Sequence, residues 1–378
     1  MALVKKTLLV SLLVFLLLAG AGCWNRRDPE LLGIVLAAAF DYDTEKEMYL
    51  VIAQLASPQA LQTEGGGSGK PSFWVLSAHG HTPFEAMRNL GVGSSRELFW
   101  AHNRVILFSE NAARRGISEI MDVIERERQT RVIALPAVVQ GDIRKLMEAE
   151  FPLEDSGAIG LDRQMITIQF NTSVFHNKFL NEVYSAFEAP GQEVFLGKIE
   201  VQAEDDQVQQ GGAGSGGAEG GGSQNRRPPA LVGGGALFKG DRLVGWATQN
   251  QTEGWLLAMG RGQRFNFVME CPDSPGDYFS VEVFNVGAVR RPVVDEQGNP
   301  RVILKVEANS RIQNYTCDGN LSTDNAFIIS LERRTAEAIR NRITDMIKRS
   351  QQLGTDVMGF GNLFYRKQPR VWRELAER

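Results

Sequence analysis

Between Gln209 and Gln224 the chain is dominated by glycine, mixed with serine, alanine and glutamine, and it runs on into Asn225-Arg226-Arg227-Pro228-Pro229. Glycine loses more backbone freedom on ordering than any other residue. This stretch carries no large apolar side chains whose burial would offset that loss, so it reads as a flexible linker over 209–229. The chain on each side must then find its own core. With 378 residues, 43% of them hydrophobic and 23% charged, there is material for two or three domains. A shorter stretch, Glu64-Gly65-Gly66-Gly67-Ser68-Gly69-Lys70, has β-forming runs on both sides and reads as a loop between two strands of one domain.

Before the linker, apolar periodicity alternates between the two regular periods. It predicts strands over 31–40, 48–56 and 73–77, a helix over 83–90, a strand over 104–108, a helix over 112–128, a strand over 132–139 and a helix over 143–150. Thr82 is a good N-cap for the first helix, with Pro83 at its first position and Glu85 completing a capping box. Asn111 reads as the cap of the next. A smaller unit over 151–208 follows the N-terminal α/β domain of 23–150, with a helix over 175–187 and a strand over 194–201.

Beyond the linker, the domain over 230–378 opens with two strands around Lys239-Gly240-Asp241, where glycine supplies positive φ. Strands over 278–288 and 302–308 flank a turn at Asp295-Glu296-Gln297-Gly298-Asn299-Pro300. The longest helix spans 325–353, with Ile339, Ile343, Met346 and Ile347 on one stripe that needs a sheet to cover. Its basic residues Arg333, Arg334, Arg340, Arg342, Lys348 and Arg349 read as a solvated face. The fold class expected is α+β: three mixed α/β domains, the last with a long helix packed on an antiparallel-rich sheet.

The N-terminus has the layout of an export signal. Lys5 and Lys6 precede an apolar run over 8–18, and Ala19-Gly20-Ala21-Gly22 forms a zone of small residues before Cys23. The run is well short of the about 20 residues that a spanning helix needs. A cysteine directly after the small residues points to lipoprotein processing of a 1–22 signal peptide, leaving Cys23 as a diacylglyceryl-modified N-terminus. Ala19-Gly20-Ala21 also fits ordinary cleavage, and Gly20 stands where a lipoprotein signal prefers leucine. Each buried methylene contributes about 0.8 kcal/mol, and two acyl chains hold a protein stably at a membrane. In an exported chain Cys271 and Cys317 could pair or remain two buried thiols.

The formal net charge of −4 gives no reason to expect nucleic acid as a partner. His79-x-His81 offers two imidazoles, but no Cys or Glu cluster near them completes the three or four ligands of a zinc site. The stretch 65–70 lacks the spacing and hydroxyl of a phosphate loop. Acidic pairs such as Glu125/Glu127 and Asp205/Asp206 stand among compensating or solvated neighbours rather than as the two carboxylates of a hydrolase. No catalytic, cofactor or metal residue is therefore assigned. Near the end, Phe360, Phe364, Tyr365 and Trp372 interleave with Arg366, Lys367 and Arg370. Core packing, a partner face and headgroup contact all fit this pattern; as a partner face its candidates are Trp372, Phe364 and Arg370. Phe360-Gly361 reads as a close backbone approach in or beside a strand.

Taken in order, the runs GCWNRRDPELLGIVLAAAFDYD, HTPFEAMRNL, LFWAHNRVILFSENAARRGISEIMDVIERERQTR, ALFKGDRLVGW, EGWLLAMG and GTDVMGFGNLFYRKQPRVW resemble the Ger(x)C spore germination lipoproteins, the C subunits of nutrient germinant receptors. The resemblance covers nearly the whole chain after residue 22. It implies three α/β-type domains and a non-enzymatic subunit lipidated at Cys23. The subunit would lie on the outer leaflet of the spore inner membrane beside two polytopic subunits of the A and B types. It further implies a role in assembly or signalling, with the nutrient bound in a membrane subunit. The rival readings are an exported ligand-binding lipoprotein and a spore cell-wall hydrolase.

Overall fold

Every residue of the strand Val105–Ser109 is buried. Ile106 and Phe108 enter one apolar cluster while Val105 and Leu107 enter another. A strand buried on both faces requires a covering layer above and below its sheet, and in a parallel sheet those layers are helices. This arrangement is seen in the computed structural model, which describes residues 4–11, 29–57, 72–127, 129–151, 153–154, 156–202, 229–272 and 274–376. Cys23, both glycine-rich stretches and Asp205/Asp206 lie outside the described residues.

The strands are β1 (Leu32–Asp43), β2 (Met48–Ala56), β3 (Phe73–Gly80), β4 (Glu97–Phe99), β5 (Val105–Ser109), β6 (Leu135–Gln140), β7 (Phe195–Val201), β8 (Ala230–Lys239), β9 (Arg242–Ala247), β10 (Arg264–Glu270), β11 (Tyr278–Val294) and β12 (Pro300–Tyr315). The helices are α1 (Pro83–Leu90), α2 (Glu110–Arg115), α3 (Ser118–Arg126), α4 (Ile143–Glu148), α5 (Gly157–Asn171), α6 (Leu180–Glu188), α7 (Gln249–Met259), α8 (Asn325–Gln352), α9 (Phe360–Lys367) and α10 (Pro369–Ala376).

Nine strands form one sheet in the order β3-β2-β1-β5-β6-β7-β8-β9, with β4 beside the start of β1. The centre, β1-β5-β6-β7, is parallel, and both flanks are antiparallel. On one face, α1, α2, α3 and α6 bury Leu90, Ala112, Ile120 and Val183. On the other, α4 and α5 bury Leu146 and Leu161. The buried Gln54 in β2 braces this second layer: its Nε2 donates to the Met147 carbonyl at 2.8 Å and its Oε1 accepts from the Ala158 N–H at 2.6 Å. A buried amide is tolerated because both ends are paired.

The sheet does not stop where composition changes. β6 pairs with β7, and β7 pairs with β8 from beyond the glycine-rich stretch. One hydrogen-bonded sheet therefore crosses the boundaries expected at residue 150 and over 209–229. The hairpin turn is docked as well: Gly240 has φ 58°, and Asp241 accepts from Ser118 Oγ at 2.6 Å and from the Ile117 N–H at 3.0 Å.

A separate antiparallel sheet, β10-β11-β12, carries α8 on one side. Phe327, Leu331, Ile343 and Met346 of α8 are buried against Phe265, Phe267, Val281 and Val283, with Ile339 and Ile347 packed at the margin. The stripe expected from sequence is thus covered by a sheet. α7 crosses α8 at Gly254, where any Cβ would overlap the Arg342 carbonyl oxygen. Cys271 and Cys317 form a disulfide within this cluster, with Cα atoms 5.6 Å apart.

Several local expectations are corrected. The helix expected over 112–128 is two, because Gly116 sits at φ 128°, outside helical space. Its cap is Ser109, whose Oγ accepts from the Ala112 N–H, not Asn111. Thr82 does cap α1, but Glu85 accepts from the His81 N–H one residue earlier than the box requires. Val132 and Ile133 are exposed before β6 begins. α5, α7, α10 and β10 were not expected, and Phe360-Gly361 opens α9, not a strand. The close approach there is real: a Cβ on Gly361 would stand 2.8 Å from the Gly191 carbonyl oxygen. Arg342 and Arg349 are half-buried and bonded within the protein. Arg342 pairs with the buried Glu253 and lies 3.9 Å from the Phe267 ring centroid, and Arg349 Nε donates to the Trp246 carbonyl at 3.0 Å.

Candidate functional site

The residues singled out in the sequence do not converge on one place. Phe364 is buried in the protein, so it presents no face to a partner. Trp372 is half-buried against Gly191 and Gly361 and meets Tyr365 edge-on at 6.1 Å, while Arg370 is exposed. His79 Nε2 lies 3.4 Å from Asp43 Oδ2, beside Lys46. Among the described residues, no three His, Cys, Asp or Glu side chains gather where a metal ion could be held. Glu125 is exposed, and Arg126 pairs with Asp122 four residues before it.

What the fold does bring together is a set of cations that no sequence pattern marks. The loop between α5 and α6 carries His176 and Lys178 inward; α7 ends beside Arg261; β11 contributes Arg290, and α9 contributes Arg366. With Glu182 and Trp255, the four side chains Lys178, Arg261, Arg290 and Arg366 line a cavity of about 430 Å³ where α6 meets the C-terminal helices.

Trp255 anchors the wall. Its Nε1 donates to the Val357 carbonyl at 2.9 Å, and its ring lies 5.1 Å from Phe195 and 4.4 Å from His176. His176 is buried behind it, and its Nε2 has no hydrogen-bond partner among the described residues. Burial, reinforced by Lys178 and Arg261, holds its imidazole well below its usual range and therefore neutral.

The cations are unequally satisfied. Arg261 Nη1 donates to Glu182 Oε1 at 3.3 Å, and Arg290 Nη1 donates to the Met358 carbonyl at 3.0 Å. Lys178 is only 7% exposed, yet no hydrogen bond or ion pair to it is found among the described residues. Burial brings its ammonium down to about 8, with Glu182 opposing and Arg261 adding to the shift. Burial likewise lowers Arg290, and Arg261 and Arg366 push the same way. Asp356, nearby, is raised by burial and spends its oxygens on the Phe360 and Gly361 N–H groups at 3.1 and 2.7 Å. The cavity is therefore a place where positive charge exceeds negative, and its one buried ammonium has no hydrogen bond or ion pair among the described residues.

No helix among the described residues is long and apolar enough to cross a membrane. The fold is similar to that of a solved structure, the crystal structure of the GerBC protein, with a TM-score of 0.53 at 15% identity, covering 90% of each chain. In sequence, the chain is 25% identical over 364 residues to YfkR of Bacillus subtilis (strain 168), covering 94% of this chain and 87% of that protein. It is 23% identical over 391 residues to spore germination protein KC of the same organism, covering 99% and 91%. Residues 25–201 match the family described as spore germination protein N-terminal domain, and residues 233–378 match spore germination B3/GerAC like, C-terminal. With both halves matched in that order, the chain belongs to the Ger(x)C family of spore germination proteins, the family of germinant receptor C subunits.

Proposed function

We propose that this chain is the lipid-anchored, non-enzymatic C subunit of a nutrient germinant receptor, needed for the receptor's assembly or signalling during spore germination. A diacylglyceryl group on Cys23 holds it on the outer leaflet of the spore inner membrane, beside two polytopic subunits of the A and B types. The observation that carries this reading is the match of both halves to one germination family, with a relative named spore germination protein KC aligned over 99% of the chain.

Anchoring rests on sequence and energetics. Lys5, Lys6, the apolar run over 8–18 and Cys23 stand in the order of a lipoprotein signal. Two acyl chains on one cysteine bury enough methylenes to keep the folded part at the surface without a spanning helix. A subunit so held meets membrane partners at an effective concentration far above its bulk value, so weak contacts suffice for assembly.

The test is genetic. Spores lacking the chain should lose their response to at least one nutrient of a panel, re-expression should restore it, and a Cys23→Ala chain should not. An unchanged response across the panel in the deletion strain contradicts the receptor role. Full restoration by Cys23→Ala contradicts the anchor.

A further inference from the structure

We propose that the cavity lined by Lys178, Arg261, Arg290 and Arg366 is a binding site for a small organic anion bearing carboxylate or phosphate oxygens, with Lys178 at its centre. This goes beyond a purely structural role for the subunit and is independent of which nutrient the receptor senses.

The argument begins with charge. Four basic side chains and one acidic side chain line the cavity, and Glu182 already serves Arg261. Removing an ammonium from water is expensive unless a counter-charge meets it. Lys178 is buried with only the longer-range attraction of Glu182 and with no hydrogen bond or ion pair among the described residues, although its Nζ has the reach and rotational freedom to take one. The two guanidiniums not consumed by Glu182 keep donors free: Arg290 uses one amino group on the Met358 carbonyl, and Arg366 makes no hydrogen bond or ion pair among the described residues. Forked donors beside a point charge suit the oxygens of a carboxylate or phosphate.

Size and lining agree. A volume of about 430 Å³ falls in the range of small-molecule sites, about 300–1,000 Å³. Trp255, Met259 and Leu363 give it an apolar wall for a carbon skeleton. An anion here would touch the α5–α6 loop, the end of α7, β11 and α9 together. Its binding would therefore fasten the C-terminal helices to the large α/β sheet and raise stability by linkage.

The full chain, purified in detergent, is titrated calorimetrically with inorganic phosphate and with succinate. Binding of at least one probe is expected. Lys178→Met and Arg366→Gln should each weaken it about tenfold or more, the loss of a charge-assisted contact. Arg114→Gln, on the surface of α2 and paired with Glu110, should leave it unchanged. Arg366 is exposed, so its variant reports on the site even where Lys178→Met alters folding. The source of the anion is read from chain reconstituted in nanodiscs. Equal phosphate affinity in phosphatidylcholine and phosphatidylglycerol discs assigns a soluble ligand, and weaker affinity in phosphatidylglycerol assigns a lipid headgroup competing for the same site. Absence of binding by both probes, or binding that both variants leave intact, overturns the proposal.

Discussion

Trp372 packs its indole over Gly191, at a position where any side-chain Cβ would overlap the ring. The contact joins α10 to the turn after α6, and it does not stand alone. Asn362 takes the same turn from both sides, its N–H donating to the Gly191 carbonyl at 2.7 Å and its Nδ2 to the Pro190 carbonyl at 2.9 Å. The aromatic cluster of the C-terminus is in this sense a clasp. Trp372→Ala should lower stability by about 2 kcal/mol, less than for a fully buried tryptophan because the residue is only half-buried. Urea unfolding measures this. An unchanged midpoint together with lost receptor association would mark Trp372 as a partner contact and not a clasp.

The crossing of α7 and α8 sets two effects of opposite sign against each other. Alanine is better than glycine inside a helix by about 1 kcal/mol. At Gly254 the added methyl meets the Arg342 backbone and displaces the helix that holds Arg342 against Glu253 and Phe267. Overpacking of this kind costs about 1–3 kcal/mol, and here backbone, not a flexible side chain, must give way. Gly254→Ala should be net destabilising in denaturant melts, despite its helix propensity.

Lys178 provides a pH signature. Its folded-state value, about 8, lies below the 10.5 of an unfolded lysine. Between these values the unfolded chain binds the extra proton, so stability rises with pH across that window and the penalty is fully present below it. The full climb is worth about 3 kcal/mol. Lys178→Met removes it, so in anion-free buffer the variant should be more stable than the native chain near neutral pH, with the gap closing toward about pH 10. A variant that is less stable near neutral pH would show that Lys178 has a protein partner after all.

The disulfide ties Cys271, at the end of β10, to Cys317, past β12, across a separation of 46 residues. Closing a loop of that length limits the unfolded chain and is worth about 2–4 kcal/mol. The Cys271→Ser/Cys317→Ser chain should melt earlier by that amount, with the loss concentrated in hydrogen-exchange protection of β10–β12 and α8. Equal protection in the oxidised and double-serine chains would contradict a structural role for the bond.

How much of this was legible in the sequence depended on how local the cause was. α1 was bounded correctly because Thr82, Pro83 and the apolar face of Ala86, Met87 and Leu90 all lie within one short segment. β2 was bounded correctly because its apolar run is broken only by Gln54. α5 and α7 went unread because burial on several sides leaves no clear stripe: α7 buries Thr252, Glu253 and Gly254 as well as Trp255, Leu256, Leu257 and Ala258. β12 extends past residue 308 through exposed Asn, Ser and Arg, held by pairing to β11 and not by a hydrophobic pattern. The joining of β7 to β8 across the glycine-rich stretch is a long-range hydrogen-bonding choice, on which composition is silent. The cationic cavity was unreadable for the same reason. Positions 178, 261, 290 and 366 share no motif, and only tertiary packing makes them neighbours.

The central claim, a subunit of a membrane receptor held by its lipid, is tested most directly by co-purification. Tagged native and Cys23→Ala chains are recovered from spore membranes solubilised in mild detergent, and their companions are identified by mass spectrometry. The expected result is recovery of two polytopic membrane subunits with the native chain and a clear loss of both with Cys23→Ala. Recovery of the native chain alone, from spores that express it well, would contradict the account.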